Sequence, residues 1–159
     1  MKGGKVYLIG AGPGDPGLVT LRAVECIKRA HLIVYDHLVN ETIMDLAAAY
    51  AVRIYAGKKG GCHAMPQEAI NRLLAEKAGQ GKVVARLKGG DPYIFGRGGE
   101  EASYLFEQGI PFEVVPGVSS ASAAPAYAGI PLTDRRHNSA VTLITGHEDP
   151  AKTESSIQW

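Results

Sequence analysis

The sequence has little cysteine, few aromatics and almost no net charge. Only two cysteines occur in 159 residues. Cys26 falls in a helical pattern and Cys62 in a glycine-rich loop, and neither belongs to a CxxC pair. That argues against a structural zinc site or a dithiol redox centre, and no metal is expected. The formal net charge is +1, so no global field draws the chain to nucleic acid or to a membrane surface. Neither is an expected partner. No apolar run reaches membrane-spanning length and no secretory leader is recognisable, so a reducing cytoplasm is the expected location.

What the chain does have is glycine, 20 residues of it, and the glycines are clustered. At 45% hydrophobic and 21% charged the composition is that of a folded globular chain. The glycines fall at the ends of apolar runs, where they mark tight turns or close approach of backbone to ligand.

Residues 5–9 (KVYLI) form a short apolar run ending in GAGPGDPG. Helical spacing follows over 20–30, with Thr20 as N-cap. Strands are expected over 31–36, 53–56, 82–87 and 112–115. Helices are expected over 66–78, with Pro66 in the first turn, and over 98–108, stopped by Gly109. Strands alternating with helices predict an α/β fold, an open and mainly parallel sheet flanked by helices. Beyond Pro116 the character changes to small residues with Pro125 among them, and then to a strand over 141–145. A lone strand cannot bury its faces. The expected division is therefore an α/β domain over 1–116, an inter-domain segment over 117–137, and the first part of a second domain over 138–159.

Four unusual loops follow the carboxyl ends of strands: GAGPGDPG, DHLVN, GKKGGCH and KGGDPYIFGRGG. Open α/β sheets bind ligands at that edge. The first loop fits GxGxxG, and Asp36 ends the next strand, so a nicotinamide-dependent oxidoreductase is one reading. Asp15 argues against it, because it sets a negative charge where a pyrophosphate would lie. Pro13 and Pro16 also remove two backbone donors. A third reading is a non-catalytic α/β dimerisation fragment whose glycine loops are only turns. The stretch RLKGGDPYIFGRGGEE combines bare backbone at Gly89 and Gly90, an acceptor at Asp91 and an apolar wall at Ile94 and Phe95. A nucleoside bearing an amino acid would use all three.

GAGPGDPGLVT, VYDHLV, GKKGG, PQEAIN, RLKGGDPYIFGRGGEE and VVPGVSSASAAPAYAGIPLT occur in that order. Together they resemble the uroporphyrinogen-III C-methyltransferases of the tetrapyrrole methyltransferase family, from Lys5 to His147. The resemblance implies two α/β domains, a homodimer, and S-adenosylmethionine held between the domains. It implies methyl transfer to C2 and C7 of uroporphyrinogen III, giving precorrin-2 and S-adenosylhomocysteine, in sirohaem and cobalamin synthesis. Carried over by motif, Pro13, Gly89, Gly90, Asp91, Ile94, Ser119 and Ser120 line the cofactor site, and Asp36 and Lys58 hold acid–base roles. The eight carboxylates of such a substrate call for cations at the cleft, with Arg22, Lys58, Lys59, Arg97, Arg135 and Arg136 as candidates. Family members continue through a whole second domain. The chain alone is expected to bind S-adenosylmethionine poorly and to turn over little.

Overall fold

The computed structural model describes residues 3–57 and 64–146. Five strands, β1 (Lys5–Gly10), β2 (Leu32–Tyr35), β3 (Val52–Tyr55), β4 (Val83–Lys88) and β5 (Phe112–Val115), form one sheet in the order β3-β2-β4-β1-β5. Every pairing is parallel. Among the described residues four α-helices accompany it: α1 (Leu21–Arg29), α2 (Gln67–Gly79), α3 (Gly98–Glu107) and α4 (Ser120–Tyr127).

Alternation along the strands builds two cores. Ile9, Ile33 and Leu87 pack on one face with Ala23, Cys26 and Ile27 of α1. Val6, Leu8, Val34 and Val84 pack on the other with Ile70 and Leu74 of α2 and Leu105 of α3. A parallel sheet covered on both faces needs strands that are apolar nearly throughout. β4 departs from this, since Arg86 and Lys88 are 3% and 4% exposed.

Local signals set the helix ends. The Thr20 hydroxyl accepts the Ala23 N–H and opens α1. Gly109, at φ +64°, follows α3 as expected of a glycine stop. The expected helix and strand boundaries agree with the structure to within a few residues.

Two segments differ. Residues 120–127 form α4, which Pro125 disguises in the sequence; the turn begins at Ser119, whose hydroxyl accepts the Ala121 N–H. The strand expected over 141–145 is absent, and this part of the chain joins no sheet among the described residues. Without a neighbouring strand there is no ladder for its N–H and C=O groups. Thr142, Leu143 and Ile144 line a cavity instead.

Candidate functional site

Loops after β1, β4 and β5 meet backbone to backbone at the carboxyl edge of the sheet. Gly12 and Gly90 exchange two hydrogen bonds, the Gly90 N–H to the Gly12 oxygen at 2.7 Å and the Gly12 N–H to the Gly90 oxygen at 3.2 Å. A Cβ on Gly10 would lie 2.5 Å from the Gly117 nitrogen, and one on Gly117 would run into the Gly90 carbonyl. These glycines therefore serve first to let three loops touch. Asp91 fastens the junction: one oxygen accepts the Gly117 N–H at 3.0 Å and the other the Tyr93 N–H at 2.8 Å.

The junction walls a cavity of about 810 Å³, a size suited to a small-molecule ligand. Pro13, Gly89, Gly90, Asp91, Ile94, Ser119 and Ser120 all line it, and so do Asp36 and Arg97. Stretches more than a hundred residues apart in sequence thus share one surface. Ile94 and Phe95 give it an apolar wall. Phe95 and Arg97 adopt φ of 51° and 58°, left-handed conformations uncommon for residues with side chains.

The other cations named from sequence stand elsewhere. Arg22 binds Glu113 and Glu25 and does not line the cavity. Arg136 pairs with Asp134, and neither it nor Arg135 lines the cavity. Glu113 and Glu25 hold the Arg22 guanidinium, and Asp134 holds that of Arg136. Arg97 lines the cavity but is paired through two nitrogens with Glu100, at 2.7 and 2.8 Å. This pairing holds the Glu100 carboxyl below the usual range. Lys58 and Lys59 lie outside the described residues, as do Cys62 and His63.

A buried polar cluster forms the cavity floor, and sequence reasoning missed it. Arg86 donates to Asp36 at 3.2 Å and to Glu101 at 3.0 Å. Lys88 and Gln67 donate to the same Glu101 oxygen at 2.9 and 3.1 Å. Glu101 is fully buried, and its second oxygen, Oε2, takes no hydrogen bond from the described residues. Burial, reinforced by neighbouring Arg86, pushes the Lys88 ammonium below the ordinary lysine range against the attraction of Glu101. The available signal was two cations inside a strand that should be buried on both faces. Asp36 also accepts the Leu38 N–H, which makes it a turn residue as well as a cavity residue.

The glycine loop after β1 does not open a long helix as a dinucleotide site does. It leads into a single 3-10 turn, Pro16–Leu18, and α1 begins later. Asp15 accepts the Tyr127 hydroxyl and the Gly17 N–H, both at 2.7 Å, and these bonds keep its carboxyl below the usual range. β4 also separates β1 from β2. In the dinucleotide fold these two strands are neighbours, which brings the acid ending the second strand to the glycine loop. Among the described residues no helix is long and apolar enough to cross a membrane, and no group of three metal-ligating side chains occurs.

Comparison with known proteins gives a consistent result. Residues 5–158 match the Tetrapyrrole (Corrin/Porphyrin) Methylases. The S-adenosyl-L-methionine-dependent uroporphyrinogen III methyltransferase of Methanosarcina barkeri is 58% identical over 98% of this chain and 61% of its own length. A siroheme synthase of Pseudomonas paraeruginosa is 55% identical over the whole chain and 34% of its own length. The chain thus spans less than two thirds of these relatives. A crystal structure of uroporphyrin-III C-methyl transferase from Thermus thermophilus complexed with S-adenyl homocysteine superposes with a TM-score of 0.67 at 46% identity, over 82% of this chain and 50% of that one. With its parallel α/β sheet and its ordered motifs, the chain belongs to the tetrapyrrole methylase family.

Proposed function

We propose that the protein carrying this chain transfers methyl groups from S-adenosylmethionine to C2 and C7 of uroporphyrinogen III, giving precorrin-2. The observation that carries this is the convergence of Pro13, Asp36, Gly90, Asp91 and Ser119 on one cavity. The cavity offers bare backbone, an apolar wall and carboxylate acceptors, which fit a nucleoside carrying a sulfonium and an amino acid. The names of the relatives support the same choice of ligand and substrate.

The cofactor supplies an electrophilic methyl group, and the protein's part is alignment. Pro13, Gly89, Gly90, Asp91, Ile94, Ser119 and Ser120 hold the nucleoside at the strand ends. Positioning of this kind lowers a barrier by roughly 7–11 kcal/mol. Asp36 accepts a proton from the methylated ring, kept in place by Arg86 at 3.2 Å. Lys58 is assigned the complementary donor role. Arg97 takes a substrate carboxylate at the cavity rim, exchanging part of its bond to Glu100.

The same reading assigns residues 1–116 to the first domain, 117–137 to the connection and 138–159 to the start of a second domain. It also includes a homodimer and a cytoplasmic location. Calorimetry with S-adenosylhomocysteine on the protein carrying this chain tests it, and saturable binding is the expected result. Tight binding of NADH with no binding of S-adenosylhomocysteine would reverse the assignment. Mass analysis of the product formed from uroporphyrinogen III then checks for two added methyl groups.

A further inference from the structure

Arg86 and Lys88 are two residues apart on β4, so they leave the sheet from the same face. Their side chains are 4% and 5% exposed, and the fully buried Glu101 lies between them. Every guanidinium nitrogen of Arg86 has an acceptor: Nε has Glu101, Nη1 the Leu87 carbonyl and Nη2 Asp36. The Lys88 ammonium has three N–H donors, and among the described residues Glu101 is its single acceptor. Yet Lys88 lines the cavity beside Gly89 and Gly90.

A purely structural role explains this poorly. Desolvating a lysine and a glutamate is expensive, and an apolar pair of similar volume often packs as well or better. The arrangement also loads one Glu101 oxygen with three donors, which fixes the ammonium in place.

We propose that Lys88 is a ligand-contacting residue whose ammonium donates to a carboxylate of the molecule bound in the cavity, with Glu101 as the positioning residue that holds it there. The inference rests on the methylation reading above, in which both ligands carry carboxylates. The nucleoside has one at its amino-acid end, and the macrocycle has them around its rim. A ligand carboxylate would also counter the burial that disfavours the ammonium.

The test uses the protein carrying this chain. S-adenosylhomocysteine binding is followed by calorimetry and uroporphyrin III binding by fluorescence quenching, with 5′-methylthioadenosine as a nucleoside lacking the carboxylate. Lys88→Met is expected to weaken one of the two carboxylate ligands roughly tenfold or more, with the other within about twofold. The affected ligand identifies the source of the carboxylate, and methylthioadenosine binding stays unchanged. Glu101→Gln weakens the same ligand by less. The paired variant Lys88→Met/Glu101→Gln removes both charges together, so it decides the matter if the single variant folds poorly. It is expected to show the same loss as Lys88→Met. Regained affinity in the paired variant, or unchanged affinity for both ligands in Lys88→Met, overturns the proposal. A wild-type protein that binds neither ligand sinks the methylation reading and this proposal with it. Normal wild-type binding with an unaffected Lys88→Met removes only the role of Lys88.

Discussion

Asp91 accepts the Gly117 N–H at 3.0 Å, tying the loop after β4 to the loop after β5. Its other oxygen orders its own loop through the Tyr93 N–H. One carboxylate thus closes a loop and docks it on its neighbour. Asp91→Ala leaves two backbone donors without their acceptors. The expected loss is about 1–3 kcal/mol of stability in urea unfolding, with weaker S-adenosylhomocysteine binding by calorimetry. Asp91→Asn keeps one carbonyl acceptor and should fall between. Wild-type stability in Asp91→Ala would rule out the docking role.

Gly117 and Gly99 offer a controlled contrast. A Cβ at Gly117 meets the backbone of Gly90 and Gly10, whereas one at Gly99 meets nothing within 4 Å. Gly117→Ala should destabilise the fold by about 1–3 kcal/mol through forced separation of the loops. Gly99→Ala, in the first turn of α3, should be neutral or slightly stabilising. Parallel thermal melts decide, and equal melting temperatures for the two variants would contradict the packing described.

Arg86 is expected to be the most sensitive of the buried charges. Arg86→Met removes a partner from buried Glu101 and from Asp36 at once, and should cost about 3–5 kcal/mol. Arg86→Lys restores the charge but not the fork that reaches three acceptors, so it should recover only part. Urea unfolding of the two variants beside wild type gives the comparison. A loss below about 1 kcal/mol for Arg86→Met would mean that the cluster relaxes around the gap.

Acid sensitivity should have one identifiable contributor at Glu113. Hydrogen bonds from Lys5 and Arg22 keep its carboxyl below the usual range. A carboxyl depressed in the folded state stabilises above its unfolded-state value, and that stability disappears as pH falls through the folded-state value. The effect belongs to the range from the ordinary carboxylate value downward. It should be about 1 kcal/mol or less, because the group is partly open to solvent. Glu113→Gln should flatten stability against pH in that window, as measured by urea midpoints. An unchanged slope would assign the acid sensitivity to other carboxyls.

The sequence announces the sheet and its edge, but not the strand order or the cavity floor. The short continuous apolar runs KVYLI and LIVY, the Thr20 cap and the Gly109 stop all act within a few residues, so they can be seen locally. The strand order depends on which apolar faces cover which helices, and that is settled only by the whole packing. The same holds for Arg86, Lys88, Gln67 and Glu101, whose partners lie up to 50 residues apart. α4 was hidden because Pro125 lowers helix propensity, while the Ser119 cap and the surrounding alanines still permit a short helix. Leu143 and Ile144 read as a strand because apolar β-branched runs usually do. Apolar surface can equally be taken up by a cavity wall.

Because β1 lies between β4 and β5, the cavity exists only after both edges of β1 have been filled. Any molecule that bridges Gly12, Gly90 and Ser119 must therefore favour the completed sheet over every partly assembled one. Such a ligand acts as a folding aid as well as a reactant. Its concentration should raise the melting temperature of the protein even where no chemistry follows.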